Sequence, residues 1–488
     1  MRHDLRRRLW HLDQLQEWAW NPLIYTRLAG GSIYNLVARD FAPVEARLAN
    51  VEARLQQLPR LYAQIRETLE PARVPKVHAE TAIKQNRGAL SILKNMVQPH
   101  LEKLPPKQQR RLAKAMESAT DAINDHQNWL ESELLPAAGG DFRLGKKLYD
   151  EKLELTLQSD FTRQQIHDRA ASELIRVRAE MYDIARTLLN KRESQSDRPR
   201  SPSRQQQQAT IEAALELAYT DAPGRDEIVE TAERSLEIAR AFIHEKDLVT
   251  IPPDSLDIIL MPEFKRGVSF AYCDSPGPLE DGQKTFYAVA PLPADWTDEQ
   301  CSSFLREYNI RSVHNLTIHE AMPGHFLQLA HANRYPGQLR SLLSSGAFVE
   351  GWANYAELMM CDEGFLKNDP LMRLIMLKWY LRSIANALLD QAIHVDGLQR
   401  EDAMKLMTES TFQEEREADA KWTRARLTAT QLSTYFVGFQ EHRDMRSASE
   451  TAWGPDFTLK RYHDQALSFG SPPVRFVRAL LLGQPIPK

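Results

Sequence analysis

Two histidines six residues apart, with a proline and a glycine between them, constrain this chain more than any other feature: His319-Glu320-Ala321-Met322-Pro323-Gly324-His325. On an ideal helix six residues turn through about 600°, which leaves His325 pointing roughly 120° away from His319. A regular helix therefore cannot aim both imidazoles at one point. Pro323 lacks the N–H that would bond the carbonyl of His319, and its ring clashes with that carbonyl. Gly324 admits backbone angles that other residues resist. A kink or bulge at Pro323-Gly324 would absorb the extra residues and swing His325 back into line. The next predicted helix carries acids in Val349-Glu350-Gly351-Trp352-Ala353-Asn354-Tyr355-Ala356-Glu357. Two imidazoles, one carboxylate and a position left for water are the donor set of a catalytic zinc site. Glu320 then stands as the candidate general base for that water. The plainer reading of the same residues is a capped helix end with surface histidines.

The two stretches HEAMPGHFLQ and VEGWANYAE resemble the bacterial "domain of unknown function 885" family, whose members look like zinc-dependent peptidases with an H-E-x-x-P-G-H motif. Asn21-Pro22 with Tyr25 is similar to the family's opening. Arg424, Gln431, Tyr435 and Gly438 match its R-Y-x(5)-Q-x(3)-Y-x(2)-G segment, and Arg461-Tyr462-His463-Asp464 through Gly470 is similar to its F-H-D-x-L-L-x-x-G ending. The resemblance covers nearly the whole chain. It implies a gluzincin-like active-site cleft in which His319, His325 and Glu350 hold Zn2+ and Glu320 is the base. Two departures bear on the cleft's shape but on no ligand: Ala429-Thr430 stands where the family usually has Pro-Gly, and Phe326 where it has a further histidine.

Glu350 and Glu357 lie two turns apart on nearly one helix face, so both cannot reach a single zinc. Gly351 lets backbone pack closely beside Glu350, and the resemblance selects Glu350 as ligand. Glu357 is left to orient a histidine or to form a surface salt bridge. His314 and His331 are the rival ligands, but neither has an adjacent base. Tyr435 can donate to the oxyanion that forms when water attacks a carbonyl. Arg424 suits a substrate carboxylate or an internal ion pair. Arg382, Asp390 and His394 fall on one helical face, as a buried polar network or a wall of the cleft.

The remainder reads as a large, mainly α protein. Residues 1–190 form a helical N-terminal part, in which Leu48, Val51, Leu55, Leu58, Tyr62, Ile65 and Leu69 make a buried stripe interrupted by Pro59. Residues 191–209, rich in Pro, Ser, Arg and Gln, read as a linker. Residues 210–488 form the zinc-binding part, with a small antiparallel sheet at about 256–290 from the β-prone runs 256–260, 268–272 and 285–289. Thr285–Val289 is the expected edge, able to pair with an extended peptide. Thr297-Asp298-Glu299-Gln300 has the form of a capping box that starts the next helix.

A formal net charge of −4 argues against a nucleic-acid binder. Cys273, Cys301 and Cys361 are too few and too scattered for a disulfide framework. The basic start has no apolar core of a secretory leader, and no run approaches the roughly 18 apolar residues of a membrane span. A cytoplasmic protein without a membrane partner is expected, unless a mis-set start hides the leader of an exported form. The expected function is zinc-dependent hydrolysis of a peptide by metal-activated water with Glu320 as base. A zinc amidase acting on a non-peptide or modified amide and an inactive helical binding or scaffold protein are the alternatives.

Overall fold

Helix periodicity carries most of the chain. The computed structural model describes residues 1–190, 202–261, 270–280, 282–293 and 296–487. They fall into two compact units: Arg2–Leu144, and a larger one made of Gly145–Met261 and the described part of Gly267–Lys488.

In the first unit, α1 (Pro22–Val37), α2 (Val44–Leu55), α3 (Leu58–Thr68), α4 (Lys76–Ile92) and α5 (Pro106–Trp129) pack together. Every residue of the predicted stripe is buried. Pro59 falls in the first turn of α3, where its missing N–H has no partner to lose, so it starts a helix rather than kinking one. Asn21 caps α1 by accepting from the backbone N–H of Leu23, which gives the Asn21-Pro22 pair a structural role. His126, polar in its sequence context, is buried between the rings of Tyr62 and Trp129.

The larger unit opens with α6 (Gly145–Leu157), α7 (Arg163–Asn190), α8 (Arg204–Tyr219) and α9 (Ile228–Lys246). Of the expected linker, residues 191–201 lie outside the described residues. Its end is helix, because Ser203 and Gln206 form a reciprocal capping box that starts α8.

The sheet has three strands, β1 (Leu256–Leu260), β2 (Ala271–Asp274) and β3 (Thr285–Val289), in the order β1-β3-β2. It is mixed, not antiparallel: β3 pairs parallel with β1 and antiparallel with β2. Thr285–Val289 is therefore the central strand, not the edge. Its side chains show why, since Tyr287, Ala288 and Val289 are buried while β1 is half-exposed. Residues 268 and 269 of the second expected strand lie outside the described residues.

Beyond the sheet come α10 (Asp298–Glu307), opened by the expected Thr297/Gln300 capping box, then α11 (Ile310–Glu320), α12 (His325–Ala332), α13 (Gly346–Asp362), α14 (Pro370–His394), α15 (Glu415–Leu427), α16 (Ser433–Trp453) and α17 (Leu459–Ser468). The core of this unit lies where α13 packs on α16 and α14 on α7. Among the described residues no helix is long and apolar enough to cross a membrane.

Candidate metal centre

α11 ends at Glu320, and the chain turns sharply before α12 begins at His325. The Met322–Pro323 bond in that turn is cis. The N–H of Gly324 donates back to the carbonyl of Ile318 at 2.9 Å, and the buried indole N–H of Trp352 donates to the carbonyl of Pro323 at 2.8 Å. Gly324 packs so tightly on the helix end that a Cβ there would stand 1.9 Å from the carbonyl oxygen of His319. Any other residue would push the turn off the helix. The irregularity thus comes as a break between two helices rather than a bulge within one, and it brings the two imidazole rings to 4.7 Å, edge to face.

Glu350 completes the group from α13. Its Oε2 lies 3.5 Å from His325 Nε2 and 3.8 Å from His319 Nε2, and the three ligand atoms stand within 4.8 Å of one another. A tetrahedral zinc with bonds of about 2.0–2.1 Å spaces its ligands about 3.3 Å apart, so these donors fit the ion in type, and the two distances to Glu350 come near that spacing. The position of Glu350 follows from backbone packing. Gly351 and Gly438 meet where α13 crosses α16, and a Cβ on Gly351 would lie 2.3 Å from the backbone carbon of Gly438. That contact also sets Tyr435, one turn earlier on α16, beside Glu350, whose charge acts on it.

Around these donors the surroundings differ. Glu357 Oε1 accepts from His319 Nδ1 at 2.6 Å, and its Oε2 accepts from Asn315 Nδ2 at 2.7 Å. The proton is thereby kept on Nδ1, leaving the Nε2 lone pair for a metal. The surface salt bridge expected as the alternative for Glu357 does not form, because the side chain is buried. His325 Nδ1 is buried with no hydrogen-bond partner among the described residues. Burial works to raise the pKa of Glu350, but the two imidazoles outweigh it and hold the carboxylate below its usual range. Burial works to lower the pKa of His319, and Glu350 and Glu357 overcome it. Glu320, only 8% exposed, sits in the last turn of α11 beside the ligands. The sheet buttresses this helix through Tyr287, whose hydroxyl lies 3.4 Å from that of Thr317.

Arg424 donates to the hydroxyl of Tyr435 and to Gln431 Oε1, each at 3.0 Å, so the three matched residues of the late segment form one cluster. His394 stands apart from it. Its Nε2 donates to the carbonyls of Ala425 and Thr428, where it braces the end of α15, the helix that carries Arg424. Asp390 accepts from the backbone N–H groups of Thr430 and Ser433 and helps to start α16, while Arg382 pairs with Glu307 and Glu417. The polar line on α14 is therefore a buried bonding network. His314 bonds Ser235, and His331 the carbonyl of Thr250, so neither joins the ligands. Asp464 accepts from the N–H and hydroxyl of Thr250, and His463 from the hydroxyl of Tyr355, which places the closing motif in the scaffold. Trp352 and Asn315 escaped the sequence reading. Asn315 is one turn before His319 on the same face, a spacing that could have marked it.

Residues 1–481 match the bacterial family of unknown function DUF885. The chain is similar in structure to a candidate lipoprotein of unknown function from Shewanella oneidensis, at 33% identity and TM-score 0.81, over 98% of this chain and 86% of that one. It shares the fold of a candidate lipoprotein from Colwellia psychrerythraea, at 20% identity and TM-score 0.73, over 91% of this chain and 76% of that one. No curated protein matches it.

Proposed function

This chain belongs to the bacterial DUF885 family, and we propose that it is a zinc-dependent metallopeptidase with a gluzincin-like cleft. One observation carries the reading: His319 Nε2, His325 Nε2 and Glu350 Oε2 converge within 4.8 Å, with the buried Glu320 next in the chain. A zinc ion held there would supply Lewis acidity and lower the pKa of a bound water. Glu320 takes the proton of the attacking water and delivers it to the leaving amine. Glu357 and Asn315 keep the ring of His319 in its ligating tautomer. The hydroxyl of Tyr435 has Arg424 as its donor, which frees its own proton for the developing oxyanion.

The description of the Shewanella relative as a candidate lipoprotein favours an exported setting over the cytoplasmic one expected from the sequence. The test is metal analysis of the purified protein, then hydrolysis of a peptide library by wild type and Glu320→Gln. About one zinc per chain is expected in both, with the variant slower by roughly 10²–10⁴-fold. Zinc without turnover of any amide would favour the binding-protein alternative, and turnover of non-peptide amides alone the amidase. Equal activity in both proteins would remove Glu320 as base.

A further inference from the structure

Beside the proposed centre, α14 and α15 carry a run of buried charge that the hydrolytic scheme leaves unused. Lys378, 1% exposed, donates to Glu307 at 2.6 Å and to the hydroxyl of Tyr219 at 2.8 Å. One turn on, Arg382 donates to Glu307 at 3.3 Å and also binds Glu417. Next along α15 comes Lys421, 8% exposed, whose ammonium donates to Asn386 Oδ1 at 3.0 Å. Arg424 follows one turn later, bonded to Gln431 and Tyr435. Among the described residues no carboxylate stands within ion-pair distance of Lys421 or Arg424. Glu307 and Glu417 make their ion pairs with Lys378 and Arg382, and Glu417 acts on Lys421 and Arg424 only at longer range. Glu414 faces the Lys378 end, and Glu350 acts on Arg424 from a distance while its oxygen faces the imidazoles.

Buried cations are costly without a counter-charge. Burial, followed by the charges of Arg382 and Arg424, depresses the Lys421 ammonium to about 7 against the pull of Glu417. A chain of polar side chains links the pair to the helix that carries Glu350. Asn354 Nδ2 donates to the carbonyl of Glu350 at 2.9 Å, and its Oδ1 accepts from Ser383 at 2.9 Å. Ser383 lies one turn before Asn386, the partner of Lys421. A planar guanidinium can grip a carboxylate with two parallel bonds, and an ammonium beside it adds a point charge.

We propose that Lys421 and Arg424 form a subsite for the terminal carboxylate of the substrate, so that the enzyme acts on short peptides close to a free C-terminus. The inference rests on the peptidase reading. The acid sits on the Lys421–Arg424 pair, while the adjacent peptide carbonyl lies between Tyr435 and Glu320.

The experiment uses full-length, zinc-loaded protein and short N-acetylated peptides in three forms: C-terminal acid, C-terminal amide, and amide ending in glutamate. The acid is expected to be cut with kcat/KM at least roughly tenfold above the amide, the difference lying in KM. Lys421→Met should bring the acid down to the level of the amide, and Lys421→Arg should restore part of the preference. Lys421→Met leaves no carboxylate unpaired, so the fold is expected to survive, and circular dichroism checks it. Equal cutting of acid and amide by wild type overturns the subsite and leaves the peptidase reading standing. Cutting of the glutamate amide as well as the acid overturns the terminal assignment. If none of the peptides is cut, the peptidase reading fails, and thermal shift then decides the subsite without turnover. A rise in Tm with the acid but not the amide, lost in Lys421→Met, supports it, and no rise with either overturns it.

Discussion

Gly324→Ala tests how the site is built. Its new carbon would stand 1.9 Å from the carbonyl oxygen of His319 and 2.3 Å from that of Ile318. Both atoms are backbone at the end of α11, so neither can rotate away. Reaching ordinary contact near 3.4 Å requires a retreat of about 1.5 Å, whereas a working constellation tolerates about 0.5 Å. His325 is the next residue, and the displacement passes to its Nε2. Zinc affinity should fall by at least 10–100-fold, the range seen when even an outer support of a ligand is lost. The assay is zinc competition against a chelator of known affinity, with far-UV circular dichroism showing that the helices persist. Gly31→Ala in α1 is the control, since a Cβ there meets nothing within 4 Å. It should leave zinc binding unchanged and add up to about 1 kcal/mol of stability. Wild-type zinc affinity in Gly324→Ala would refute the argument that this close approach forms the ligand pair.

Glu357→Gln should weaken zinc binding by about 10–100-fold with little change in fold, because the group that fixes the His319 tautomer loses its charge. Competition titration reads it. Tyr435→Phe should lower kcat by roughly 10²–10³-fold with zinc content intact, if its hydroxyl serves the oxyanion. The stability contributed by buried histidines should fall on acidification from pH 7 to 5, while Glu441, which burial pushes up to about 7, works the other way. Burial holds His314 and His442 at about 4 and His463 at about 3, below the roughly 6.5 of an unfolded histidine. The unfolded chain therefore takes up protons that the folded one refuses. Each such histidine contributes up to about 1.4 kcal/mol per pH unit between pH 6.5 and its folded value. Thermal melts should show the slope, and His442→Gln should flatten it.

Local chemistry was legible in the chain itself. Helical stripes, the Thr297 capping box and an interruption at Pro59 follow from side-chain period and backbone donors, which involve only near neighbours. So does the need for a break between His319 and His325, because a proline and a glycine cannot continue a helix there. Long-range pairing was not legible. Strand β3 looked like an edge, yet it became the centre of a mixed sheet, since nothing in five residues specifies which strands will flank them. Gly351 signalled close packing, but only the fold supplies Gly438 opposite, and that crossing brings Glu350 and Tyr435 together. The sequence by itself determined which donor atoms are available and where the helix must break. The tertiary structure decided which of them meet, because the helix crossings that set distances of 3.5 and 3.8 Å depend on contacts between residues far apart in the chain.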